Sequence, residues 1–132
     1  MVLSFDEAGA LLDALAESYP EALFEGLNGG VNLQEEARLD PAFPDREMFV
    51  MGDYCDNLLG RYINLYYGSF AALAEREDWT EAEWREELRL TLSHELTHHM
   101  EGRGGLHDLE NKDEEEAAAW RERFAREDAG EE

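Results

Sequence analysis

Residues 80–101 read TEAEWREELRLTLSHELTHHME, and this stretch decides the fold that we expect. Thr80 followed by Glu83 is a capping-box pattern, which is typical of the first turn of an α-helix. Apolar residues then recur at helical spacing on one stripe, which consists of Trp84, Leu88, Leu92 and Leu96. Glycines at positions 102, 104 and 105 predict that the helix ends at about residue 101. The sequence therefore predicts a long amphipathic helix that buries one face.

The rest of the chain predicts further helices separated by short strands. Ser4 and Glu7 form another capping box, so a helix is expected over residues 5–18, and Pro20 can open a short helix after it. Three β-like runs follow, at residues 31–37, 48–54 and 61–67. Helical spacing returns from Ser69, and a last helix is expected from about residue 113 through Phe124. This order predicts an α+β fold with a short three-stranded sheet.

The length of 132 residues fits one domain, which we place at residues 1–126, followed by an acidic, frayed tail at residues 127–132. With 33 acidic and 11 basic residues the net charge is −22, which disfavours nucleic-acid binding and attracts basic partners. No apolar run approaches the roughly 20 residues that span a membrane. The first residues lack the pattern of a secretory signal. A single cysteine, Cys55, excludes an internal disulfide, so we expect a cytoplasmic protein.

The pattern H-E-x-x-H lies inside the long helix, as His94-Glu95-Leu96-Thr97-His98. Residues four apart lie on the same face of a helix, so His94 and His98 can offer imidazole nitrogens to one metal at about 2.0–2.1 Å. Glu95 is turned by roughly 100° around the axis, beside the metal, where it can act as a general base. Imidazole and carboxylate ligands without a nearby thiolate favour Zn²⁺. The spacing therefore predicts a zinc site that activates water for hydrolysis.

An open zinc site needs a third protein ligand. By residue type the candidates are Glu101, His107, Asp108, Glu110, Asp113 and Glu114. Glu101 lies seven residues past His94, which is about 10 Å along the axis, so binding all three from one helix is strained. The glycine-rich loop can reverse the chain, and we choose Asp108 while the other candidates stay open. His99 points away from the histidine pair and is expected to pack or to support the site.

The sequence alone leaves three questions open. Residues 61–67 are either an edge strand that binds a peptide or a packed inner strand. A group that stabilises an oxyanion could come from Tyr66, Tyr67, His99, Arg103 or His107. Two other functions compete with catalysis, namely a metal-binding protein without turnover and an acidic interaction module for a basic partner. The oligomeric state does not follow from the sequence.

Three segments of the chain resemble one known family. They are residues 52–54 (GDY), residues 60–70 (GRYINLYYGSF) and residues 88–99 (LRLTLSHELTHH). Together they are similar to the strand, turn and helix of the small bacterial zincin-like metallopeptidases, or mini-zincins, and the likeness extends over most of the chain. The resemblance implies an α+β fold of about this length, a single zinc held by two histidines and an aspartate, and hydrolysis of a peptide or protein substrate.

The chain departs from the family pattern H-E-x-x-H-x-x-G-x-x-D. It has Glu101 where the family has glycine, and Gly104 where the family has aspartate. A four-residue insertion at positions 101–104 restores the pattern as Gly105-Leu106-His107-Asp108. The resemblance then implies that Asp108 is the third metal ligand beside His94 and His98.

Overall fold

The computed structural model of the protein describes residues 1–40, 48–103, 119–120, 122–124 and 126. Its helices are α1 (Phe5–Glu17), a short 3-10 helix (Glu21–Phe24), α2 (Tyr67–Glu77) and α3 (Glu81–Arg103). Its strands are β1 (Val31–Gln34), β2 (Arg38–Leu39), β3 (Phe49–Val50), β4 (Gly52–Asn57) and β5 (Gly60–Tyr66). The described residues after 118 are helical as well, in the region of the expected last helix.

Both predicted capping boxes are confirmed. At α1 the Ser4 hydroxyl accepts from the Glu7 amide at 3.1 Å, and the Glu7 carboxylate accepts from the Ser4 amide at 2.9 Å. Thr80 and Glu83 make the same reciprocal pair before α3, at 3.1 and 3.2 Å. Helix α3 continues to Arg103, two residues beyond its expected end, and α2 begins two residues earlier than expected. The caps fix where these helices start because they satisfy backbone amides that have no partner inside the helix.

Strand β5 lies in the centre of the three-stranded sheet, whose order is β1-β5-β4. It pairs parallel with β1 and antiparallel with β4, in a register that places Tyr54 opposite Ile63. Ile63 and Leu65 are fully buried, as expected for a strand that is paired on both sides. Of the two interpretations of residues 61–67, the inner strand is therefore correct and the edge strand is wrong.

Strands β2 and β3 form a separate antiparallel pair, which the sequence did not predict. The run expected at residues 48–54 is divided between β3 and β4, with Met51 at the junction. The Met51 carbonyl accepts a hydrogen bond from the Tyr66 amide at 2.9 Å. This bond ties the junction to the end of β5, and the chain leaves one sheet for the other there.

The predicted stripe of α3 forms the middle of the core, since Trp84, Leu88, Leu92 and Leu96 are all fully buried. The buried side chains of α1 and β5 belong to the same cluster. Helices combined with a small mixed three-stranded sheet confirm the expected α+β fold. In the part of the chain that the structure describes, no helix is both long enough and apolar enough to cross a membrane.

Candidate metal centre

His94 and His98 direct their Nε2 atoms towards each other from successive turns of α3. These two atoms are 3.2 Å apart, and the ring planes lie at 88° with centroids 4.8 Å apart. Such a contact fits a hydrogen bond in which one neutral ring donates to the other. It also fits a shared metal ion, because two nitrogens bound at about 2.05 Å and near the tetrahedral angle lie about 3.3 Å apart. The histidine pair therefore has the separation that one zinc ion requires.

Glu101 lies on the other side of the His98 ring. Its Oε2 atom is 4.0 Å from Nδ1 of His98, not beside the converging Nε2 atoms, and both side chains are about half exposed. This position suits a carboxylate that orients the imidazole better than one that binds the same metal. In this structure the Glu101 carboxylate therefore does not lie beside the two converging Nε2 atoms.

Of the three expected metal ligands, the described residues include His94 and His98. Within them, no group of three histidine, cysteine, aspartate or glutamate side chains is arranged to hold a metal ion. Asp108 lies outside the described residues, as do His107, Glu110, Asp113 and Glu114. The assignment of Asp108 therefore stays a prediction.

Glu95 lies beside the histidine pair and is turned towards β4. Only 7% of it is exposed. Burial raises the pKa of its carboxyl to about 7, with a further increase from the charge of Asp53 and an opposing decrease from His94. A carboxyl group with such a pKa can take up and release a proton near neutral pH, as a general base requires.

Gly52 lets strand β4 approach α3 at the site. A Cβ atom at this position would lie 2.9 Å from the Asn64 carbonyl oxygen and 2.9 Å from the Thr91 Cγ2 atom. It would also lie 3.6 Å from the Cγ atom of Glu95. The missing side chain therefore sets the short distance between the strand and the face of the helix that carries Glu95. The sequence shows the glycine, but the partners that make it necessary come from two other elements.

His99 is fully buried on the core side of α3. Its Nε2 atom donates to the Glu25 carbonyl at 2.8 Å, so the neutral ring accepts at Nδ1 from the Tyr54 hydroxyl at 3.0 Å. These two bonds connect α3 with β4 and with the end of the 3-10 helix. The expectation that His99 points away from the histidine pair and packs in the core is confirmed.

An open cleft of about 410 Å³ lies between α3 and the β3–β4 segment. The polar and site residues that line it include Asp40, Gly52, Glu87, Thr91, His94 and Glu95. Asp40 and Glu87 were not singled out from the sequence. Glu87 could have been, because it lies seven residues before His94 and hence on the same face of the helix. The cleft thus brings carboxylates together beside the histidine pair.

Three of the five candidates for an oxyanion-stabilising group are engaged elsewhere. The Tyr66 hydroxyl donates to Asp53 at 2.8 Å, and the Tyr67 hydroxyl donates to the Leu3 carbonyl at 2.6 Å. His99 is held in the core by the bonds given above. The side chain of residue 103 and all of residue 107 lie outside the described part of the chain.

A solved structure of the conserved hypothetical protein TTHA0227 from Thermus thermophilus is similar to this one, with a TM-score of 0.64 and 33% sequence identity. The match covers 77% of this chain and 98% of that chain. At this identity and coverage, the chain belongs to the same family as that protein. No protein-family model and no curated protein matches the sequence.

Proposed function

We propose that this protein is a zinc-dependent peptidase in which His94 and His98 hold the metal and Glu95 is the general base. The observation that carries the proposal is the 3.2 Å separation of the two Nε2 atoms, which matches two ligands of one zinc ion. A buried carboxyl next to the pair and an open cleft in front of it add the other parts that hydrolysis needs.

Zn²⁺ bound by the two imidazoles would supply an activated water and polarise the scissile carbonyl. The chain's own contribution to proton transfer is Glu95. A carboxylate oxygen of Glu95 accepts a proton as the nucleophile forms and gives it to the leaving amine as the peptide bond breaks. Because β4 shields this carboxyl from solvent, its proton affinity is matched to both steps near neutral pH.

Asp108 completes the metal site in this proposal. The support for it is the match of residues 105–108 to the pattern G-x-x-D and the position of Glu101 on the wrong side of the His98 ring. We expect Asp108→Asn to weaken zinc binding about 10–100-fold or more, while Glu110→Gln leaves it unchanged. Zinc affinity measured by competition with a chelating dye tests the assignment. Equal affinities of Asp108→Asn and the parent would exclude it.

The substrate class that suits the cleft is a peptide or protein with basic residues. Carboxylates of Asp40 and Glu87 line the cleft, and the chain carries a net charge of −22. Strand β4 is the terminal strand of the sheet on the side of the cleft, so a peptide added to it would run past the histidine pair. We place this activity in the cytoplasm, without nucleic acid or membrane as a partner.

The test is hydrolysis of a mixed peptide library by the zinc-loaded protein, followed by mass spectrometry. We expect cleavage that chelation abolishes and that Glu95→Gln lacks although it still binds zinc. Stoichiometric zinc without any cleavage would instead indicate a metal-binding protein without turnover. Failure to bind zinc at neutral pH would leave the acidic interaction module as the better hypothesis.

A further inference from the structure

Strand β1 is the other terminal strand of the three-stranded sheet, on the side away from β4. The Gly30 carbonyl accepts from the Ile63 amide at 3.0 Å, so in this parallel pair the backbone groups of residues 30, 32 and 34 face β5. The amides and carbonyls of Val31 and Leu33 therefore point away from the sheet. Among the described residues, no hydrogen bond to these outward groups is found. The edge of β1 is thus open within this part of the chain.

A groove runs between this open edge and α1. It consists of two hollows of about 390 and 430 Å³, and Asp13 and Val31 line both of them. The apolar side chains that line the groove are those of Phe5, Ala16, Phe24, Val31 and Leu33. Gly9 leaves space above β1, since a Cβ atom there would meet only Leu33 Cδ2, at 3.9 Å. An open strand edge beside an apolar groove is the setting in which extended peptides add to a sheet.

Carboxylates stand along the groove. The described acidic residues that line it are Asp6, Asp13, Glu17 and Glu21. All four are exposed, and in the part of the chain that the structure describes none of them makes an ion pair or a side-chain hydrogen bond. Lysine and arginine side chains match such a surface, because their stems pack on apolar groups while their charged ends reach carboxylates.

We infer that the β1 edge binds an extended segment of a partner protein that carries basic and apolar residues. The outward backbone groups of Val31 and Leu33 pair with the main chain of the segment, and the groove receives its side chains. A second copy of this chain is a poorer occupant, because both copies carry a net charge of −22 and repel each other. The inference does not depend on the proposed peptidase activity, since the described linings of the groove and of the metal-site cleft share no residue.

A purely protective role of the carboxylates would predict something different. Charged side chains beside an open strand edge can prevent the edge from pairing with other chains. In that case a basic peptide would be attracted by charge alone, and the outward amides of Val31 and Leu33 would stay open to solvent. Hydrogen exchange of these two amides therefore separates the two roles.

The experiment is an NMR titration of the isotope-labelled full chain, kept free of zinc by a chelator, with the peptide acetyl-KVKVKVK-amide. We expect saturable binding, and hydrogen exchange of the Val31 and Leu33 amides at least about tenfold slower in the complex, because a hydrogen bond must open before exchange. The Asn32 amide already faces β5 and is the internal control, which should change less. The acidic peptide acetyl-EVEVEVE-amide should not bind.

Glu17→Lys and Glu75→Lys are a matched pair, because each replaces an exposed helical glutamate and changes the net charge by the same amount. Glu17→Lys, in the groove, should weaken binding of the basic peptide about 3–10-fold, and Glu75→Lys, on α2, less than about twofold. The titration of the parent protein decides the matter even if a variant does not fold.

Four outcomes would overturn the inference. They are no binding of the basic peptide, equal binding of the acidic one, equal weakening by the two variants, and no slower exchange of the Val31 and Leu33 amides in the complex. Changes confined to the amides of β4 would place the peptide at the other edge of the sheet and refute the inference as well. Protection of Val31 and Leu33 in a dimer that forms without peptide would show that a second copy occupies the edge instead.

Discussion

Helix α3 presents two sides of opposite chemical character. The side towards β4 carries Glu87, His94 and Glu95 and lines the cleft between α3 and the β3–β4 segment, whereas the side towards the end of α1 carries Arg85 and Arg89. At 100° per residue these sets lie on roughly opposite sides of the axis, with the buried stripe between them. One amphipathic helix thus separates a cleft lined by His94 and carboxylates from a pocket lined by arginines, with its buried face between them.

Two carboxyl groups of α3, those of Glu95 and Glu86, also differ in the direction of their pKa shifts. Burial raises the pKa of Glu95, whereas hydrogen bonds from Arg89 lower the pKa of Glu86. Glu95 is 7% exposed, but the Glu86 side chain is 50% exposed. The side chain that is kept from water has the raised pKa, and the solvent-exposed one is an ion-pair partner of Arg89.

The largest effect is expected from His98→Ala. Stable zinc binding should be lost because one of the two convergent Nε2 atoms is removed, while the fold survives because this side chain is half exposed. Zinc content after dialysis and a circular dichroism spectrum measure the two properties. Arg85→Gln, on the opposite side of the helix, should keep its zinc. Loss of zinc from both variants would mean that the two sides are not independent.

Glu95→Gln should lower the rate of peptide hydrolysis about 10²–10⁴-fold, the usual contribution of a general base. Zinc content should stay at the parent level, since this side chain is not proposed as a ligand. The rate is measured on the peptide that the library identifies as the best substrate. If the variant cleaves as fast as the parent, the base is another residue.

Glu95 and Glu86 should contribute to the stability of the zinc-free protein with opposite dependence on pH. The folded pKa of Glu95 is raised above 4.5, so ionising it costs stability as pH rises from 4.5 to 7. Glu95→Gln should thus be more stable than the parent at pH 8, by at most about 3 kcal/mol, and less so at pH 5.5. For Glu86 the folded pKa is lowered, so its contribution is present above pH 4.5 and lost below it.

Urea denaturation of the parent, Glu95→Gln and Glu86→Gln at both pH values measures this contrast. Glu86→Gln should be slightly less stable than the parent at pH 8, because an exposed ion pair contributes little. The interpretation is refuted if the two variants change stability in the same direction at pH 8.

Gly52→Ala should destabilise the protein by about 1–3 kcal/mol, because the added methyl group meets a backbone carbonyl and the Thr91 side chain at 2.9 Å. Gly9→Ala is the matched control, since its methyl group would meet only Leu33 Cδ2, at 3.9 Å, inside a helix that favours alanine. Thermal denaturation of both variants gives the comparison. A neutral Gly52→Ala would show that β4 can move away from α3 at no cost.

The smallest effect is expected from Glu87→Gln, which removes one charge from the cleft and leaves the ligands in place. The preference for basic over acidic peptides, measured as a ratio of kcat/KM values, should fall about 2–5-fold, in keeping with a partly exposed charge. Glu81→Gln removes the same charge from the start of α3 and should leave the ratio unchanged. An equal fall in both variants would indicate a long-range effect of net charge.

Helix α3 could be predicted from the sequence because everything that specifies it is local. The capping box, the buried stripe and the histidine spacing all lie within residues 80–101, and the structure places them on one continuous helix. The pairing of β5 on both sides could not be predicted in this way, because its partners are residues 31–34 and 52–57. A strand's position in a sheet depends on contacts that its own pattern does not contain.

In the site, too, some features follow from the spacing of nearby residues, whereas others depend on residues far apart in the chain. His94, His98 and Glu95 follow from spacing, but the need for Gly52 depends on Asn64 and Thr91, which belong to other elements. Ser18, Arg85 and Arg123 line one pocket, and no sequence pattern connects them. The packing of α1 against α3 brings the first two together.

The two hydrogen bonds of His99 restrict the rotation of α3 about its axis and hence the direction of the His98 side chain. His99 is the next residue after His98, so any rotation of α3 that turns His98 aside must also pull a buried ring away from Glu25 and Tyr54. Leaving such groups without partners costs roughly 1–3 kcal/mol each. The core thereby fixes the rotational setting of the helix, and folding alone determines the direction in which His94 and His98 leave it.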